Sequence, residues 1–592
     1  MTRLGQRKKK PSGPIQHMDD VLFQESPFDV RDVDHLAVVS RIWDDLGLGD
    51  IIDACIPSDP QQAMRASQVM KGLVLNVTGG RDPLYRVRSW AEQVPLELLL
   101  GEGADPEHLN DTALGRHLDR FFDAGPESVF NAVSLRVIER EGLSIDTLHG
   151  DTTSRLVFGQ YERPAEDEVI SITRGHSKDH RPDLKQVMYS LTTCKDGVPV
   201  SAEVLSGNTS DKTWHKESLS KLRERLSRER SAPLHYVGDS ALVTEANLAI
   251  AKEQGIVLTS RLPRTYSAAG TAVLRALYDP VPMKKLGALS PGKGATKYEG
   301  CLLENCELMG HKVTLGVYRP TPANERTRGA VLARRTKERA AAEKAAKALM
   351  ATSFACEPDA RAALDEYLHA HVRGPVVDRM LRVEGEIVEE EVAAKRGRGR
   401  PPRGESAPAP TREYRVRVAI GEDDDVTEAV IARESCFVLV HTGSEPITAK
   451  ELLGIYKGQS VVEARFPFLK DPSWADVFFV KTPHRVEALG YVLLLSLLLW
   501  SVWERRVRLN LAASGERPVV DVTGVKKPRP TAMVCVHVLR GIKVMRAWRG
   551  DDWSPWQLVS ALKPEQQRVM RFSQAPPLLG KTATGKNQSA LS

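Results

Sequence analysis

The sequence lacks what a secreted, fibrous or membrane-embedded chain would need. Its 592 residues hold only seven cysteines, at positions 55, 194, 301, 306, 356, 436 and 535, too few and too scattered for a disulfide framework. Cys301 and Cys306 have four residues between them and no partnering histidines, so they make no zinc-ligand set. No low-complexity block dominates, which excludes repetitive and collagen-like classes. The N-terminus has no apolar h-region, so no secretory signal is expected. The longest apolar run, Leu489 to Leu499, contains Gly490 and Ser496; it is too short to span a bilayer and reads as a buried core helix. A reduced, cytosolic chain fits these absences.

What is present is length and clustered charge. At 592 residues the chain exceeds a single hydrophobic core, and two to four domains are expected. The net charge is only +6, but the cations are clumped. Arg3, Arg7, Lys8, Lys9 and Lys10 form an arm, and Lys395, Arg396, Arg398, Arg400 and Arg403 a second block. Clumped cations point to a polyanion, nucleic acid before membrane.

Residues 1–35 read as a disordered basic arm. From 36 to 141 the apolar spacing is helical throughout, with Asn110 capping the segment DTALGRHLDRFF. Such a module can present a recognition helix to DNA, and it can equally serve as a scaffold or dimerisation unit. Short β-type runs follow: IDTLHGDTTSRLVFG, LKQVMYSLTTC and VPVSAEVLSG, the last two joined through a turn at Lys195-Asp196-Gly197. A helix from about Lys212, the strand LHYVGDS, the helix EANLAIAKEQG and the strand IVLTSRL complete residues 142–265. Three antiparallel strands and then alternating helix and strand make an α/β, ribonuclease-H-like core. Residues 266–444 break that pattern with a strand pair, a long Ala/Arg/Lys/Glu-rich helix, and an acidic run (Glu384–Glu391) abutting the basic linker at 395–404. The runs REYRVRV and CFVLVHT are expected to return to the core. Residues 445–545 resume it, with a last helix near Thr531–Met545, and 546–592 read as a tail.

Three acids stand at the tips of the expected core elements: Asp151, Asp239 and Glu463. Read as one helix from Thr448, the stretch ELLGIYKGQSVVEARFPFLKDP places Tyr456, Gln459, Glu463 and Lys470 on a single polar stripe at about 100° per residue. Pro467 should kink that helix just beyond Glu463. Two or three carboxylates suit hard Mg²⁺ or Mn²⁺, which take oxygen ligands and keep several waters. Two such ions roughly 3.5–4 Å apart serve phosphoryl transfer well. Each aspartate alone is as readily a turn cap, and the stripe alone a solvated helix face.

These residues carry a resemblance. The spacing Tyr456, Glu463, Lys470, with Gln459 where arginine is expected, resembles the Tyr-x2-Arg-x3-Glu-x6-Lys signature of DDE transposases of bacterial insertion sequences. HLNDTALGRHLD, LHGDTTS, GHSKDHRPDLKQV, GNTSDKT and VGDSALVT match as well. The resemblance spans about residues 35–545. It implies a ribonuclease-H-like (retroviral-integrase-like) core with a strand-containing insertion and an all-helical N-terminal DNA-binding domain. It further implies Asp151, Asp239 and Glu463 as catalytic ligands of two Mg²⁺ or Mn²⁺ ions, and Tyr456 and Lys470 as grips on the phosphates of a cut end. Gln459 would leave one such grip uncharged. Double-stranded DNA would be the partner, as terminal inverted repeats and as target, bound by a homodimer in the bacterial cytoplasm at the nucleoid, with no membrane. A same-fold nuclease without strand transfer and an inactive DNA-binding repressor stay open as alternatives. Arg398-Gly399-Arg400-Pro401 resembles an AT-hook core, which would seat in a narrow minor groove; a plain basic linker is the rival. Lys178 and Arg181 belong to a basic loop in which His176 and His180 lack further metal ligands, so DNA contact or bare surface is expected there.

Overall fold

The computed structural model describes residues 28–577 and 579, apart from 58–61, 158, 160, 162–168, 176–180, 228, 230, 279–282, 290–293, 322–324, 373–377, 393–409, 472–479, 481, 550–551 and 560. It is mixed α/β, and it divides into two compact units: residues 1–234 together with 459–592, and residues 235–458.

The first unit is built round the helix Pro483–Ser514, 32 residues long and buried along most of its length. Leucines on every side leave it no polar stripe, so it must be covered all round. The helices Leu36–Asp45, Ala66–Thr78, Asp111–Asp123, Pro126–Glu141 and Pro564–Ser573 cover it. The helix is longer than its apolar run alone indicated. By length and composition it could cross a membrane, but 94% of its most apolar window is buried inside the protein. It is a core helix. Each leucine wholly removed from water there contributes roughly 1.5–3 kcal/mol. The N-terminal helices expected as a separate module are therefore part of this core. The cap is as read: Asn110 accepts from the Ala113 amide at 3.0 Å.

Three expectations near the termini are corrected. Phe28–Asp32 is not part of a disordered arm but a strand, antiparallel to Lys543–Arg549. The last helix before it is only Ala532–Val538; the chain then turns at Gly541, whose φ of +82° suits glycine. Short strands and the helix Pro564–Ser573 occupy what was read as a tail. Pairing between segments some 500 positions apart leaves no mark in either local pattern.

The three strands Thr147–Val157, Lys185–Cys194 and Pro199–Leu205 form an antiparallel meander. Gly197, in the turn at φ +80°, has a second reason to be glycine. A Cβ there would lie 2.5 Å from a guanidinium nitrogen of Arg465.

In the second unit, His235–Gly238 and Val257–Leu262 run parallel, with the helix Glu245–Gln254 between them in sequence. Phe437–His441 lies antiparallel to Val257–Leu262 and, on its other side, to His311–Thr321. Lys297–Leu308 and Lys284–Ala288 extend this sheet. CFVLVHT thus rejoins the core, but REYRVRV does not. Thr411–Glu422 pairs along its whole length with Leu381–Val392, which contains the acidic run, in a separate small sheet. Its arginines face the glutamates of that neighbour, as in Glu386 opposite Arg417 and Glu391 opposite Arg412, and opposite charges across strands favour this pairing.

Candidate active site

Asp151 lies inside the strand Thr147–Val157, not at its end. The β-branched Thr152 and Thr153 prolong the ladder beyond the point where LHGD seemed to stop it. Alternation puts His149 and Asp151 on one face and Thr152 on the other. Thr152 donates its hydroxyl to Asp211 on that second face. Asp151 is half-buried, and its Oδ1 accepts from the Thr152 amide at 2.7 Å.

The long helix expected from Thr448 is three short ones: Ala449–Lys457, Ser460–Glu463 and Phe466–Lys470. Its start is as read, because Thr448 and Glu451 form a reciprocal capping box. Pro467 enters at the beginning of the third piece. At the joins three-residue backbone bonds appear beside or in place of four-residue ones: Gly458 to Ile455 as well as Gly454, Val462 to Gln459, Arg465 to Val462 and Phe468 to Arg465. Such turns take about 3.0 residues instead of 3.6, so a phase counted at 100° per residue drifts. The single polar stripe is therefore not formed.

The drift shows most at Gln459. Expected on an exposed, DNA-facing stripe, it is only 7% exposed, and its Nε2 donates to the Gly150 carbonyl at 2.8 Å. Glu463, on the next turn, is exposed. Two residues on, Arg465 turns inward to a buried ion pair with Glu504 at 2.8 Å. Glu504 also accepts from the Ala532 amide at 3.0 Å. Arg155, on the Asp151 strand, donates to the Leu469 carbonyl in the third piece. His149, Arg155, Arg465 and Glu504 were not foreseen; the first three stand two to four residues from Asp151 or Glu463, whereas Glu504, on the helix Pro483–Ser514, carries no such signal. Burial lowers the His149 imidazole from its usual 6.5 to about 4, an effect the neighbouring Gln459 side chain partly offsets. His149 is thus neutral at physiological pH.

In the second unit Asp239 directly follows the strand His235–Gly238, at the carboxyl end of a parallel pair, a usual place for α/β sites. Its Oδ1 accepts from the Ala241 amide at 3.1 Å and its carbonyl from the Ser260 hydroxyl at 2.6 Å. Tyr456 packs half-buried on a cluster of Tyr318, Leu439, Leu452 and Leu453. Lys470, in the first unit, is half-buried. Arg181 is spanned by Asp183 through two bonds of 2.8 and 2.7 Å, which neutralises it locally. Lys178, His176, His180, Arg398 and Arg400 lie outside the described residues.

The hard carboxylate oxygens of Asp151 and Glu463, one half-buried and one exposed, are of the kind that Mg²⁺ or Mn²⁺ takes. Among the described residues, no group of three or more His, Cys, Asp or Glu side chains is gathered as a metal site.

Residues 28–135 match a family described as Domain of unknown function (DUF4277), well under half of the chain. No curated protein matches the sequence. Among solved structures, the cryo-EM structure of the piggyBac transposase synaptic complex with hairpin DNA is similar at a TM-score of 0.34 and 8% identity. The match covers 86% of this chain and 79% of that one.

Proposed function

We propose that this chain is a DNA transposase, cutting element ends by metal-dependent phosphodiester hydrolysis and joining them to target DNA. The reading rests on the signature strings around Asp151, Asp239 and Glu463. One observation carries it furthest: the helix of Glu463 is hydrogen-bonded, through Gln459, to the residue preceding Asp151. The three-strand antiparallel meander of the first unit and the parallel pair of the second fit a ribonuclease-H-like core.

Asp151, Asp239 and Glu463 would hold two divalent ions, which supply activation of water and stabilisation of the leaving oxygen. Hydrolysis breaks one P–O3′ bond and leaves a 3′-hydroxyl and a 5′-phosphate. That hydroxyl then attacks a target phosphodiester; one P–O bond forms as another breaks, so no energy source is needed. Tyr456 and Lys470 would hold phosphates at the cut end. The chain would act as a homodimer on two inverted repeats, in the bacterial cytoplasm.

The test is an assay with labelled duplexes taken from inverted repeats flanking the gene, with Mg²⁺ present. Joined product is expected. Cut product alone would favour the nuclease, and binding alone the repressor. Asp151→Asn, Asp239→Asn and Glu463→Gln should each abolish cutting and preserve binding, since each keeps shape and removes the charge that holds the ions. Arg398→Ala with Arg400→Ala should weaken A/T-rich duplex more than G/C-rich duplex at one salt concentration, because a minor-groove arginine reads groove width. Equal losses would leave a plain basic linker.

A further inference from the structure

We infer that Gln459 is a positioning residue that couples the Asp151 strand to the Glu463 helix, rather than a contact to DNA; the inference rests on the proposed function. Gln459 bonds in two directions at once. Its side-chain amide donates to the Gly150 carbonyl at 2.8 Å, within the peptide unit whose nitrogen belongs to Asp151. Its own carbonyl accepts from the amides of Val462 at 3.2 Å and Glu463 at 3.4 Å, opening the short helix that ends in Glu463. The two carboxylate-bearing residues are therefore joined by a bridge of two hydrogen bonds through one residue.

The bridge is dry. Gln459 is 7% exposed and His149, on the same face as Asp151, 3%. Besides its bond to Gly150, the Gln459 side chain lies against the His149 imidazole on the same strand. A hydrogen bond in such surroundings is electrostatically stronger than in water, so losing it costs more than losing an exposed one. The same strand makes a second tie five residues further on, where Arg155 donates to the Leu469 carbonyl. Glu463 lies between these anchors, and Val462 beside it is fully buried. Arginine, the residue of the resembled signature, would bring a charge into a site where, among the described residues, no carboxylate is bonded to the side chain at 459. Glutamine keeps the tie and stays neutral.

The test uses the full chain and Mn²⁺ alone as probe, read by calorimetry and by paramagnetic resonance of the free ion. Gln459→Met keeps the length but cannot donate. It should raise the Mn²⁺ concentration for half-saturation roughly tenfold or more, the usual cost of losing a residue that orients ligands. Binding of a duplex end in EDTA should change less than about twofold, with the salt slope unchanged. Gln459→Asn, one methylene short of the carbonyl, should fold and show a smaller loss in the same direction. A weaker duplex affinity with unchanged Mn²⁺ binding would overturn the inference in favour of a DNA contact. A lowered Tm with unchanged Mn²⁺ binding would reduce Gln459 to a structural residue. The reading beneath it fails separately: Asp151→Asn and Glu463→Gln would then leave Mn²⁺ binding unaltered while Gln459 variants fold normally.

Discussion

The first unit and the insertion of the second both spend arginine freely, and they use it in opposite ways. Around Glu463 the guanidinium groups are buried. Arg465 meets Glu504 with both side chains under a tenth exposed, and Arg506 bonds Glu141 and Asp45 from beneath the surface. Along the helix Glu325–Met350 most of the arginines are surface groups, Arg335 being the more covered exception. Arg328 pairs with Glu428, Arg334 with Glu434 and Arg339 with Glu343, with one or both partners well exposed in each pair. A buried pair contributes little net stability when intact, but removing one partner strands the other charge. An exposed pair is screened by water and salt and can be lost at little cost. The first unit therefore fixes geometry with charge, and the insertion uses charge to stay soluble and to align a helix on its neighbours.

The comparison can be broken most forcefully at Arg465. Arg465→Met should destabilise the chain by about 1–3 kcal/mol, because the buried Glu504 loses one of its two guanidinium partners and keeps only Arg508 at 2.6 Å. Arg334→Ala should cost at most ~1 kcal/mol. Thermal and denaturant unfolding of the two variants checks this, and similar losses would mean the two kinds of pair do not differ.

A pH series sharpens the same contrast at His149. Its folded pKa of about 4 lies below the ordinary 6.5. The unfolded chain thus takes up the proton first, and stability present above pH 6.5 is lost as pH falls toward 4. The loss from this group is on the order of 3 kcal/mol. His149→Asn should flatten the acid limb of the stability curve by about that amount. His441 in the second unit, also lowered to about 4 by burial, should retain its own share. An unchanged acid limb would show that His149 is not held neutral by its site.

The smallest effect is one of salt. At roughly 1 M salt the screening length falls to about 3 Å, so the penalty of Arg334→Ala should vanish while that of Arg465→Met persists. Unfolding midpoints at low and high salt decide it.

Much of the fold was legible in single stretches. Helices and strands with clear periodicity appear close to where the sequence puts them, because caps such as Asn110 and Thr448, the Pro467 break and the Gly197 turn act within a few residues. Asp239 at the end of a parallel strand was also readable, since the strand and its following turn are local. The interior position of Asp151 was not, because the ladder to Lys185–Cys194 decides where that strand stops.

By itself the sequence determined most of the helices and strands between residues 36 and 265, the place of Asp239 after its strand, and that the apolar run Leu489–Leu499 must be covered. Only the tertiary structure decided that Phe28–Asp32 pairs with Lys543–Arg549 and that Thr411–Glu422 takes the acidic run as its partner. It alone decided that Gln459 faces Gly150. The reason is physical: local pattern reports the period of a segment and the strength of its ends. Which face is buried depends on the few tightened turns that shift a helix's phase, and on partners hundreds of residues away.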